Sequence, residues 1–145
     1  MALSREEREK FLAEPHIAAL AVAARDEGRA PLTVPIWYQY APGSGTGDLW
    51  VMTARDSRKN RLITHAGRFS LMVDRVEPTV RYVSVEGPVV ATAPATHEQL
   101  VEITARYLSE EKVAGYIDFA MKELGDQVVV HMRPEHWLSA DLGAV

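Results

Sequence analysis

The feature that most limits what this chain can become is a series of short apolar and β-branched runs, each closed off by a turn. His16 to Ala24 is small and apolar, Arg25-Asp26-Glu27-Gly28-Arg29 is polar, and Leu32 to Tyr40 is β-branched and aromatic. Two such runs about a short polar turn predict a hairpin. The turn segment Ala41 to Asp48 leads to a third strand, Leu49 to Thr53. A helix is then expected from Ser57 to about Ala66, with Leu62, Ile63 and Ala66 on one face and Gly67 as its stop. Phe69 to Val73 reads as a fourth strand, and Val80 to Thr92 as a fifth with a bend or bulge at Gly87-Pro88. The last strand is Gln127 to Met132, with the chain staying extended past Pro134 to Leu138.

Three helices complete the pattern. Ser4 and Glu7 have capping-box spacing before Phe11 and Leu12, and Pro15 ends that first helix. Thr96 and Gln99 repeat the spacing before an apolar side of Leu100, Ile103 and Tyr107, and a further helix is expected over Glu110 to Leu124. The fold class is therefore mainly β with helices. Six antiparallel strands in a chain of 145 residues are most economically a small barrel, which leaves few exposed edges. Residues 1–145 read as a single domain. A six-stranded barrel is too narrow to hold a sizeable ligand inside, so a ligand is expected in an outside groove or at a subunit interface.

The sequence has no cysteine, which excludes disulfides, thiolate metal sites and a cysteine nucleophile. Its net charge of −4 gives no general attraction for nucleic acid or an anionic bilayer. No membrane-length apolar stretch is present, and the charged start Arg5 to Lys10 is unlike a signal peptide, so a cytoplasmic location is expected. His16, His65, His97, His131 and His136 show no metal-ligand spacing. Gly43-Ser44-Gly45-Thr46-Gly47 lacks the following helix and Lys-Ser/Thr of a phosphate loop and reads as a hairpin loop. There is also no Gly-x-Ser-x-Gly elbow.

One island stands out against the acidic whole. Arg55 to Arg61 carries four cations and one anion, leaving −7 on the rest of the chain. It lies where a strand ends and a helix begins, so the helix's free N–H groups add to the side-chain charge. Ser57 offers a capping hydroxyl, Arg58 a bidentate fork and Lys59 a point charge. The segment is either a phosphate site or a solvated basic turn.

Thr53 through Leu62, followed by Gly67-Arg68-Phe69-Ser70-Leu71-Met72-Val73, resembles the flavin-binding split-barrel family typified by pyridoxamine 5′-phosphate oxidase. Leu32 to Tyr38 upstream and Arg81 to Gly87 downstream extend the resemblance. The ending Arg133 to Leu142 is similar to a smaller branch of flavin/deazaflavin oxidoreductases, many of which use coenzyme F420.

The resemblance implies a six-stranded antiparallel split β-barrel and a homodimer that binds F420, or alternatively FMN, between its subunits. Ser57, Arg58 and Lys59 would hold the phosphate, with Thr53 beside the ribityl chain or phosphate. Val34, Pro35, Ile36 and Trp37 would flank the ring, and Arg81 and the His136-Trp137 segment would complete the site from the second chain. Read on their own, Arg81 is equally a surface residue and Trp137 equally an interface aromatic.

The oxidase acting on vitamin B6 has an Arg-rich, Trp-containing C-terminal segment that does not follow Leu138 here, so another substrate is expected. The implied activity is hydride transfer to a small conjugated or heterocyclic acceptor. The cofactor does the difficult chemistry, and no indispensable acid, base or nucleophile is expected. A non-catalytic flavin or haem binder, or a barrel that only dimerises, is the competing reading.

Overall fold

A computed structural model describes residues 1–143. The chain runs α1 (Arg5–Ala13), β1 (Ala18–Val22), β2 (Leu32–Ile36), β3 (Tyr38–Tyr40), β4 (Leu49–Ala54), α2 (Arg58–Ala66) and β5 (Arg68–Arg75). It continues through β6 (Arg81–Pro94), α3 (His97–Tyr107), α4 (Glu110–Glu123), β7 (Gln127–Met132) and β8 (His136–Asp141). All strand pairings are antiparallel, in the order β2-β1-β5-β6-β7-β4-β3, with β8 also on β6.

The barrel is split because β6 serves two half-sheets. Its first part, Arg81 to Glu86, lies between β5 and β8, and its last part, Val89 to Pro94, pairs with β7. The register slips between Val89 and Ala91, the bulge expected near Gly87-Pro88. Gly87 itself is required by a close approach: a Cβ there would overlap the Arg133 carbonyl where the chain crosses from β7 to β8.

Eight strands form where the sequence predicts six. The run Leu32 to Tyr40 breaks at Trp37, so that β2 pairs with β1 while β3 pairs with β4. The sheet's two ends are thus consecutive in sequence and meet at Trp37 without pairing to each other. The extended C-terminal segment is the other addition, a full strand pairing Glu86 with His136 through Arg81 with Asp141.

The barrel interior is filled by side chains. Leu20, Tyr38, Leu49, Leu71, Val83 and Val130 are fully enclosed, and Phe11 and Leu12 of α1 join the same cluster. Each enclosed aliphatic side chain contributes about 1.5–3 kcal/mol. The Tyr38 hydroxyl bonds the carbonyls of Leu12 and Glu14 at 2.6 and 3.1 Å, tying α1 to the barrel.

A second, smaller cluster of Trp50, Ile103 and Val129 packs α3 on the β4–β7 half-sheet. The α3–α4 hairpin leaves and rejoins the sheet at one place, where the Ala95 N–H donates to the Gln127 carbonyl at 2.9 Å. Among the described residues, no helix is long and apolar enough to cross a membrane.

Candidate functional site

The basic island folds as its sequence predicts. Ser57 caps α2, its hydroxyl accepting the Asn60 N–H at 3.2 Å, and Gly67 ends the helix in the left-handed conformation. The Thr53 and Ser57 hydroxyls are 2.9 Å apart. Asn60 donates from Nδ2 to the Arg55 carbonyl at 2.8 Å, and Arg61 donates to the Asp56 carbonyl at 2.6 Å. This bracing holds the strand-to-helix turn rigid.

The backbone N–H groups of Arg58 and Lys59 have no acceptor among the described residues. They are the first two amides of the helix, and such orphan donors suit an anion. Buried Asn60 Oδ1 also lacks a partner.

Lys59 borders a cleft of 390 Å³ at the seam of the barrel. Pro35, Ile36 and Trp37 form one wall, Met52, Thr53 and Ala54 of β4 another, and Leu100, Ile103, Tyr116, Ala120 and Leu124 of the helical hairpin a third. Trp37 is stacked on Tyr107 at 4.8 Å and tilted against Tyr116 at 5.2 Å. Tyr107 is itself fixed, its hydroxyl donating to the His16 carbonyl at 2.7 Å and accepting the Tyr38 N–H at 3.2 Å. Beyond Met52, Leu100 and Ala120 lies a second cavity of 360 Å³, bordered by Arg55, Thr96 and His97.

Thr53, Lys59, Pro35, Ile36 and Trp37 therefore share one cleft. Ser57 acts from behind as the cap. Arg58 does not join them: it opens onto a separate cavity with Arg25, Arg29 and Arg61. Val34 packs against the core and borders a shallow outer cavity.

Arg81 and Trp137 lie outside the cleft. Arg81 donates to Asp141 at 2.8 Å, and Trp137 lies beneath the Arg8 guanidinium and edge-on to Tyr40. Alternation along β6 and β8 turns both toward the barrel's inner face, whereas His136 and Leu138 point outward.

The walls from α3 and α4 are the part that sequence reasoning missed. Leu100, Ile103 and Tyr107 carry the helical apolar period, but period alone does not tell a cleft wall from a core face. Tyr116, Ala120 and Leu124 gave no signal of their own. Among the described residues, no group of three or more His, Asp or Glu side chains converges as a metal site would require.

A lysine beside two free helix amides on the rim of an aromatic-walled cleft, set on the seam of a split β-barrel, is the architecture of a ligand-binding barrel. The chain belongs to the pyridoxamine 5′-phosphate oxidase family, matching it over residues 4–140. No curated protein matches.

Among solved structures, an F420 reductase is 22% identical with a TM-score of 0.70, over 90% of this chain and 94% of the other. A FAD-binding protein from Mesorhizobium loti is 17% identical with a TM-score of 0.62, over 99% and 98%. The haem storage protein HutZ from Vibrio cholerae is 16% identical with a TM-score of 0.61, also over 99% and 98%. At these identities the likeness is one of fold.

Proposed function

We propose that this protein is a homodimeric oxidoreductase that binds coenzyme F420 and passes a hydride to a small conjugated or heterocyclic acceptor. The observation that carries the reading is the polarity of the cleft. Lys59, which follows Arg58 in the helix turn that has two free amides, borders the cleft, and Pro35, Ile36 and Trp37 give it an apolar wall. That donor set fits a ligand with a phosphate on a flexible chain and a flat ring at its far end. The bound cofactor supplies the hydride chemistry. The protein anchors the phosphate, fixes the ring plane through the Trp37–Tyr107 stack, and excludes water with the α3–α4 walls. The adjoining cavity beside Arg55 and His97 gives the acceptor a place next to the ring.

The dimer is supported by the outer face of the barrel. Pro35, Ala19, Met72, Ser84 and Leu138 are successive cross-strand partners and form one outward row. Met72 and Leu138 are exposed there, and Ile17 and Pro35 border both this face and the cleft. A second copy seated on the row would wall the cleft, bringing His136 with it. The contribution of the second chain is therefore assigned to the outward residues His136 and Leu138 rather than to Arg81 and Trp137.

FMN is the second reading, because it presents a ring, a chain and a phosphate to the same donors. Haem is disfavoured because no histidine lines the cleft among the described residues. The deciding experiment is titration of the purified protein with F420 and FMN side by side, followed by turnover of the reduced form of the tighter ligand against a panel of acceptors. Tighter F420 binding with turnover upholds the proposal, tighter FMN binding moves it to the second reading, and binding without turnover makes the protein a carrier. Sedimentation of the same sample reads the dimer.

A further inference from the structure

The cavity of 360 Å³ beyond the cleft adjoins it along Met52, Leu100, Ala120 and Gln127, which line both spaces. Its polar side chains fall into two sets. One set is already engaged: Thr96 exchanges bonds with Gln99 in the cap of α3, and Gln127 donates from Nε2 to the Leu124 carbonyl at 3.0 Å. The other set is Arg55, His97 and Asp126. Among the described residues the Arg55 guanidinium has one polar partner, Asp126 at 3.8 Å, and the His97 ring has no hydrogen bond or ion pair.

The Arg55–Asp126 pair is weak by geometry. It is about an ångström longer than a charge-assisted hydrogen bond, and the two side chains are 51% and 83% exposed. The main chain fixes both roots, since the Arg55 N–H donates to the Asp126 carbonyl at 2.8 Å. Asp126 can therefore turn its carboxylate into water while the less exposed guanidinium stays at the cavity wall. An incoming anion then gains a guanidinium fork and an imidazole, and displaces only a screened pair. An incoming cation finds one carboxylate and is opposed by Arg55. The rest of the wall is apolar, with Met52, Pro94, Leu100, Ala120 and Met121.

We infer that this cavity takes an acceptor in which a carboxylate is joined to a flat apolar body, and that Arg55 selects it by exchanging Asp126 for the ligand. The inference rests on the proposal that the acceptor lies in this cavity. A carboxylate suits the site better than a phosphate. Once Asp126 has turned away, Arg55 leaves a single positive charge, which a monoanion neutralises and a dianion exceeds. The planar fork of the guanidinium also matches the two oxygens of one carboxylate. Lys59 lines the cleft and not this cavity, so the two cations serve different ends of the joined space.

The test titrates four naphthalene probes by calorimetry: 2-naphthoate, 2-naphthamide, 2-naphthyl phosphate and 2-naphthylmethylammonium. Each is added to the protein alone and to protein saturated with the tighter of F420 and FMN. Naphthoate is expected to bind wild type at least about tenfold more tightly than the amide, and to bind alongside the cofactor. Arg55→Gln, a change to a half-exposed side chain, should abolish that preference, while Lys59→Ala, titrated as the protein alone, should keep it. Asp126→Asn removes the competing carboxylate and should strengthen naphthoate binding roughly two- to fivefold.

Equal binding of naphthoate and amide overturns the proposal, as does a preference that survives Arg55→Gln or disappears in Lys59→Ala. Tightest binding of the phosphate or the ammonium probe overturns the carboxylate assignment. Unchanged or weaker naphthoate binding in Asp126→Asn overturns the exchange of partners, and naphthoate that expels the cofactor overturns its place beside the ring. Should neither F420 nor FMN bind, the cofactor reading fails by itself. A naphthoate preference that is lost in Arg55→Gln then still upholds the carboxylate site, and its absence overturns both.

Discussion

The Thr53 hydroxyl lies 2.9 Å from the Ser57 hydroxyl, so the last inward residue of β4 and the cap of α2 hold each other. The bond converts a strand end into a rigid launch point for the helix whose second residue, Lys59, borders the cleft. Ser57→Ala removes the Asn60 cap bond as well as this tie, and is expected to cost about 1 kcal/mol. Urea melts of wild type and variant read that loss. A variant as stable as wild type would show that the cap is idle.

Lys59→Ala should weaken binding of the preferred cofactor by roughly 10- to 100-fold, the effect of deleting one charge-assisted contact of about 1.5–3 kcal/mol. Replacing any one of the five histidines by Ala should change it less. Titration of these variants in low salt is the check, and unaltered binding in Lys59→Ala removes the phosphate anchor from this position.

Two glycines should respond to alanine in opposite directions. Gly87→Ala must displace the Arg133 backbone and should destabilise by roughly 1–3 kcal/mol. Gly115, inside α4 with open space where its Cβ would stand, should gain roughly 0.5–1 kcal/mol from the same change. Thermal melts of the pair separate the close approach at Gly87 from a mere turn preference.

Acid should act through Asp141. The Gly143 N–H foremost, then the Thr79 hydroxyl and the Arg81 guanidinium, hold its carboxyl down to about 2 from an ordinary 3.8. A carboxyl whose folded value lies below its unfolded one stabilises the fold fully above the unfolded value. That contribution disappears as pH falls through the folded one. Wild type should therefore lose stability between about pH 4 and pH 2 more steeply than Asp141→Asn. Parallel denaturation curves for the two proteins across that range would remove Asp141 from the account.

Much of this architecture is written in local signals. The caps at Ser4, Ser57 and Thr96, the stop at Gly67 and the bulge after Gly87 each depend on a few adjacent residues and occur where the sequence predicts them. The break at Trp37 is different. Leu32 to Tyr40 has one unbroken β-forming character, and its transfer from β1 to β4 is decided by partners far away in the chain. β8 reads in the sequence only as extended chain past Pro134 to Leu138, because its pairing with β6 is again long-range.

At the site, Lys59, Thr53 and the Pro35–Trp37 wall were legible from the basic island and the resemblance together. The divergence of Arg58 follows from helix geometry, and only the β1–β2 turn, folded against α2, gives that divergence a destination. The walls from α4 were not legible, because a helix's apolar side names no neighbour.

The helical hairpin departs from Ala95 and returns at Gln127 across one bond, so residues 96–126 are an insertion between two paired strands, β6 and β7. Its Leu100, Ile103, Tyr116, Ala120 and Leu124 wall the cleft, while Lys59 and the free amides belong to α2. On the proposed reading, changes at Leu100, Tyr116, Ala120 or Leu124 would retune which acceptor is admitted while leaving Lys59 and the α2 amides in place.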